Sequence, residues 1–201
     1  MLAELPPAAL RLDLDRAALA DNWRALNRLS GAARAGAAVK ADAYGLGARA
    51  VVPVLRQAGC RDFFVTYASE AADIIGLVPA GEIALLHGPL NAGVARWAQA
   101  AGVRPVINSL TQAGLWLEAG GGPCDLMVDT GINRLGLSIA ELADPLVGRL
   151  SIDVLHSHLA SSEQAVPLNA MQRARWHAAR GQVQHRRAAL ATSAGIMLGA
   201  D

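Results

Sequence analysis

The sequence predicts an α/β fold built on a parallel sheet, with closure into a (β/α)8 TIM-type barrel preferred over an open doubly wound sheet. Three observations carry this. Short apolar runs alternate with Ala-rich stretches of helical period along the chain, and strand–helix alternation with short connections gives parallel strands and right-handed crossovers. The runs are continuously apolar, as in strands buried on both faces. No G-x-G-x-x-G follows any of them, which weakens a dinucleotide-binding fold. Seven βα units can be placed, whereas a complete barrel has eight strands and about 250 residues. The barrel is therefore expected to lack its last strand.

The expected strands are Gly36–Val39, Asp62–Thr66, Glu82–Leu86, Arg104–Ile107, Asp125–Val128, Leu150–Leu155 and Ala189–Thr192. Helices are expected over 48–58, 69–77, 91–101, 109–119, 138–147 and 163–187. Ser69, Asn91, Ser109 and Ser138 stand where N-caps belong. Gly59, Gly102 and Gly120 suit the C-terminal ends. Pro53 fits only a first turn, so that helix is expected to begin nearer Val51. Ahead of the barrel, Arg11–Asp13 reads as a short strand outside the count. It precedes a helix from Asp15 with Leu19, Trp23 and Leu26 on one face. Residues 1–10 read as an N-terminal tail and 11–201 as one barrel domain, incomplete at its C-terminus.

Composition narrows the function. Of 201 residues 53% are hydrophobic, ample for a core, and a net charge of +1 provides no field for gripping nucleic acid or an anionic membrane. The N-terminus lacks the basic and apolar regions of a signal peptide, and no apolar run is long enough to span a bilayer. Two cysteines make no disulfide framework. A soluble, reduced, cytoplasmic protein is the expectation.

The eighteen basic residues include one lysine, Lys40. A lysine amine can lose its proton when desolvated and act as nucleophile or base, which arginine cannot. Lys40 sits at the end of the first expected barrel strand, in VKADAYGLG, and C-terminal strand ends line the active-site mouth of such barrels. There it can form a Schiff base with a carbonyl cofactor or substrate. Tyr44, Gly45 and Gly47 follow, offering a phenol and a backbone that an anion can approach closely. The same residues also fit an ordinary βα turn with a surface lysine, and spacing alone does not choose.

VKADAYGLG closely resembles the pyridoxal-phosphate lysine motif of bacterial alanine racemases. The resemblance continues through RLDLDRAALADNWRAL at 11–26, VDTGINRLGL at 128–137, SHLASSE at 157–163 and TSAGIMLGAD at 192–201. It implies a barrel of the alanine racemase kind, without its eighth strand and C-terminal β domain, to which the strand near Arg11–Asp13 would belong. It implies pyridoxal 5'-phosphate as cofactor, held as an aldimine on Lys40, which also moves the α-proton on the D-alanine side. Tyr44 and Ser193 resemble phosphate ligands, and His158 the histidine near the pyridine ring. Arg134 resembles the arginine that contacts the cofactor's phenolic oxygen and the substrate. By residue type alone Arg134 also fits an exposed surface position, and His156 would share the facing of His158 along a strand. Asp129 is expected to hold its loop.

The resemblance further implies alanine as substrate, D-alanine supply for peptidoglycan, a homodimer, and no metal. The second catalytic base is expected in the C-terminal domain, so these 201 residues alone are expected to be weakly active or inactive. A non-catalytic pyridoxal-phosphate barrel of the cofactor-homeostasis type is the alternative. Departures from the family pattern are Met127 where a lysine is common, Thr192 for asparagine, Leu46 for histidine, and a shortened stretch before the seventh strand.

Overall fold

The computed structural model describes residues 10–190 and 192–199. Its framework is a seven-stranded parallel sheet whose strands lie side by side in chain order: β1 Ala37–Ala38, β2 Phe63–Val65, β3 Ile83–Leu85, β4 Arg104–Ile107, β5 Pro123–Met127, β6 Ser151–His156 and β7 Arg187–Ala189. A doubly wound sheet reverses its strand order at a switch point. This one never does, so its twist accumulates in one direction, as in a barrel.

Ion pairs measure the curl. Arg187 on β7 donates to both carboxylate oxygens of Asp62, just before β2, at 2.7 and 2.9 Å. In a flat sheet five strand spacings would put these strands about 24 Å apart, far beyond an arginine's reach. The sheet must therefore curve until its far strands meet. Arg104 on β4 completes the cluster, donating to Asp62 at 3.1 Å and to Asp153 on β6, which Arg187 also contacts at 2.6 Å. Arg34, Arg61, Glu82 and Arg186 line a cavity of about 370 Å³ around the cluster. The cavity lies at the N-terminal strand ends, away from the mouth where barrel chemistry occurs.

Apolar burial does the rest. Strands β2 to β4 are buried almost throughout, and the core gathers Phe63, Ile83, Leu85, Ile107, Leu126 and Leu155. Where β5 shifts register against β6, between Cys124 and Leu126, the buried Asp125 carboxylate accepts from Val154 N at 3.2 Å. It also bonds His156 Nε2 at 3.0 Å. Strands β1 and β7 are more exposed, and among the described residues they are not paired with each other.

Helix α1, Arg16–Leu29, is capped by Asp15 accepting from Ala18 N. Arg11–Asp13 forms no strand, and among the described residues no strand lies alongside to pair with it. Helix α3 spans Ala48–Ala58 and contains Pro53 on its exposed side, against the expected start near Val51. Asp42 Oδ1 accepts from Ala48 N at 2.7 Å and anchors that earlier start. Helix α4, Ala68–Ile74, is capped from Tyr67 with Glu70 folded back onto its N–H, so Ser69 is not the cap. Helices α5 (Ala92–Ala101) and α6 (Leu110–Glu118) begin from Asn91 and Ser109 as expected.

The expected helix 138–147 is two pieces. A 3-10 turn, Ile139–Ala143, starts from Ser138, and α7, Pro145–Gly148, restarts from Asp144 because Pro145 cannot continue the first. Helix α8 is Pro167–Arg180, shorter than 163–187, since the residue before a proline avoids helical angles. Strand β7 then begins two residues earlier than expected, drawn in by Arg187. Ala191, within the expected strand, lies outside the described residues, as do residues 1–9 of the expected tail. Thr192 caps α9, Ser193–Met197.

Two outcomes check this architecture. In Asp62 and Asp153 burial would raise the carboxyl pKa, but the arginine hydrogen bonds and charges outweigh it and hold both below 3.8. Their contribution is thus complete above that value and disappears as pH falls through the lowered native values. Arg187→Met is expected to cost about 2 kcal/mol in urea melts, less than a fully buried pair loses because Arg104 remains. It should also flatten the acid limb, and an unchanged limb would show that the cluster contributes nothing. Separately, a polypeptide of residues 1–201 is expected to associate through the β1 and β7 edges as its concentration rises. A sharp, reversible, monomeric melt in sedimentation and calorimetry would contradict that.

Candidate active site

All seven strands run the same way, so the segments that follow them share one rim. At β1 this segment is unusual. Lys40–Tyr44 forms α2, a single helical turn of the wrong hand, in which Ala41, Asp42, Ala43 and Tyr44 have φ between 50° and 56°. For L-residues the left-handed helix costs roughly 1–2 kcal/mol each, and four together are sustained only by their surroundings. Ala43 N donates to Val39 O at 2.9 Å and Gly47 N to Asp42 O at 2.9 Å. Glu70 Oε1 accepts from Ala41 N at 2.7 Å, while its Oε2 accepts from Thr66 N at 2.6 Å. Burial alone would raise the pKa of Glu70, but these N–H groups lower it below 4.5 and keep it ionised.

The reversed turn sets two expected site residues together. Lys40 Nζ lies 6.0 Å from the Tyr44 ring centroid, and Tyr44 itself is 65% exposed. Beyond β5, Asp129 Oδ1 accepts from the N–H groups of Gly131, Ile132 and Asn133 at 2.8, 3.0 and 3.2 Å. That holds the loop which carries Arg134. Gly136 closes it at φ 116°, where a Cβ would lie 2.7 Å from Asp129 N. Arg134 is exposed, and among the described residues it makes no ion pair. Met127 is half-buried beside His156 in the sheet register.

His158 lies two residues past the end of β6, not within it, and is half-buried. Burial lowers its pKa below 6.5, and the charges of Arg134 and Lys40 lower it further. Both positive charges therefore act on the imidazole and favour its neutral form. His156 does not share that facing. It is buried in the sheet, bonded to Asp125 and edge-on to Phe64 at 5.7 Å. Ser193 is exposed at the first position of α9, beside Thr192, whose Oγ1 accepts from Gly195 N at 3.3 Å and lies 2.9 Å from Ser162 Oγ. The carboxylates nearest these groups in sequence and contact, Asp42, Glu70 and Asp129, are all bonded to backbone N–H groups. The Tyr44 phenol, the Arg134 guanidinium and the Ser193 hydroxyl are exposed and the Lys40 amine is half-buried, a donor set suited to an anion.

Sequence reading missed Glu70, Thr130 and Gln172, which fasten these loops. Glu70 carried a signal, an acid at the third position of its helix. Gln172 carried one too, an amide on the apolar stripe of α8.

The sequence profile described as alanine racemase, N-terminal domain, matches residues 14–201. The chain belongs to that family. It is 43% identical to the alanine racemase of Rhizobium meliloti (strain 1021) over 98% of its own length and 55% of the relative's. With the biosynthetic alanine racemase of Agrobacterium fabrum (strain C58 / ATCC 33970) it shares 40% identity, over 96% of this chain and 52% of that one. Among solved structures, alanine racemase from Bartonella henselae, with covalently bound pyridoxal phosphate, superposes with a TM-score of 0.84 at 33% identity. That match covers 92% of this chain and 57% of the other. The chain thus spans about half the length of the relatives it matches.

The depressed His158 pKa gives a stability test. The unfolded chain binds a proton near 6.5 while the native ring resists it, so stability falls as pH drops through 6.5 toward the lowered native value. His158→Gln is expected to flatten that part of the profile in urea melts. An unchanged slope would mean the ring is not held among these charges.

Proposed function

We propose that this chain is the cofactor-bearing part of an alanine racemase, interconverting L- and D-alanine. One observation carries the reading: the only lysine in the sequence lies just past β1 on the rim, in a reversed turn that sets its Nζ 6.0 Å from the Tyr44 ring centroid. The donor set fits pyridoxal 5'-phosphate, an aldehyde bearing a phosphate dianion. Lys40 would hold it covalently, Tyr44 and Ser193 would donate to the phosphate, and the neutral His158 ring would lie against the pyridine without adding charge. Arg134 would contact the phenolic oxygen and the substrate carboxylate. When bound, the cofactor supplies an electron sink for the charge left on alanine Cα.

Lys40 Nζ removes or returns the Cα proton on one face. Racemisation needs a second base on the opposite face, and the proposal places that base outside these 201 residues, in a region contributed by a homodimer. The named relatives support alanine as the substrate class. The absence of any described helix long and apolar enough to cross a membrane, together with buried free thiols at Cys60 and Cys124, fits a cytoplasmic supplier of D-alanine for peptidoglycan.

Lys40→Ala is expected to abolish the borohydride-reducible adduct formed with pyridoxal phosphate while leaving the urea melt unchanged within about 0.5 kcal/mol. Mass spectrometry of the reduced protein reads it directly, since only the N-terminal amine could substitute. An undiminished adduct in the variant would sink the assignment.

A further inference from the structure

Helix α8 turns a polar side chain into the core. Gln172 is fully buried on the same face as Trp176 and Ala179, where helical spacing ordinarily places apolar residues. Each polar atom of an amide left unpaired there would cost about 1–3 kcal/mol. Gln172 is satisfied by two segments outside its own helix. Its Oε1 accepts from Ala160 N at 2.8 Å, and its Nε2 donates to the His158 carbonyl at 3.1 Å and to Thr130 Oγ1 at 3.3 Å. Thr130 Oγ1 also lies 2.8 Å from Ser157 Oγ, and Arg175 donates to the Thr130 carbonyl at 3.1 Å. One side chain therefore fastens both the loop carrying His158 and the loop carrying Arg134.

We propose that Gln172 is a positioning residue for the rim: by gripping residues 158–160 and Thr130 together, it sets the placement of His158 against Arg134 and Lys40. What that placement serves rests on the racemase reading above. The coupling itself does not, so the two can fail separately. The molecule contains its own control. Asn169, one turn earlier and also buried, donates to the carbonyls of Ser161 and Gln164 at 3.1 and 2.7 Å, holding the far part of the same loop with no hydrogen bond to His158 or Thr130 among the described residues.

The test follows the ring protons of His158 by NMR through a pH titration of the 201-residue chain without cofactor. Gln172→Met keeps the shape and removes the hydrogen bonds. It is expected to raise the His158 midpoint toward the ordinary imidazole value, as the ring leaves its burial and the Arg134 and Lys40 charges. Asn169→Leu should lower stability yet leave the midpoint in place. Thr130→Val releases the grip from the loop side with α8 intact. It should move the midpoint in the same direction, and it decides the matter if Gln172→Met does not fold. An unmoved midpoint in the folded variant, or an equal movement in Asn169→Leu, overturns the proposal. A wild-type chain that forms no borohydride-reducible adduct with pyridoxal phosphate overturns the racemase reading instead, and the midpoints still judge Gln172.

Discussion

Two carboxylates buried at one end of the sheet, Asp62 and Asp153, have to be neutralised there, and Arg104 and Arg187 neutralise them. Withdrawing such charges from water is costly unless each meets a partner in good geometry. The partners come from β4, β6, β7 and the approach to β2, so they coincide only when the sheet is strongly curved. Apolar burial favours many compact arrangements. This cluster selects the curved one, because a flat or slipped sheet would leave charges stranded.

The rim inherits its geometry from that curvature. Strands that converge at their N-terminal ends also bring their following segments within reach of each other, and so Lys40 after β1 can act electrostatically on His158 after β6. The rim is then fixed by side chains that take no direct part in it: Glu70 beneath the reversed turn, Asp129 within the β5 loop, Gln172 beneath both later loops. Each satisfies several backbone or hydroxyl groups at once. Irregular segments acquire in this way a rigidity that their sequences alone would not give them.

How far the sequence disclosed this depended on the range of the forces involved. Strands β2, β3 and β4 fall within a residue of expectation, since an apolar run bounded by turns is a local signal. The caps at Asn91, Ser109 and Ser138 were legible for the same reason. The left-handed turn was invisible: Lys-Ala-Asp-Ala-Tyr reads as the start of an ordinary βα turn, and its hand is imposed partly by Glu70, nearly thirty residues on. Arg187 looked like the end of a long polar helix, because the carboxylate that makes it a strand residue lies 125 positions earlier. The site residues were found through family motifs, and spacing alone had left Lys40 undecided. The residues that fasten them were missed although Glu70 and Gln172 carried local signals, because which segments such a side chain grips shows only when its partners are known.

The reversed turn has a stereochemical consequence. Four successive residues occupy the region of backbone space that is the native helix of mirror-image amino acids. At Ala41, whose side chain is exposed, a D-alanine placed by chemical ligation would adopt the observed angles without the steric penalty an L-residue bears. A chain whose relatives are named for inverting alanine thus carries, beside its single lysine, a stretch of backbone better suited to alanine's other enantiomer.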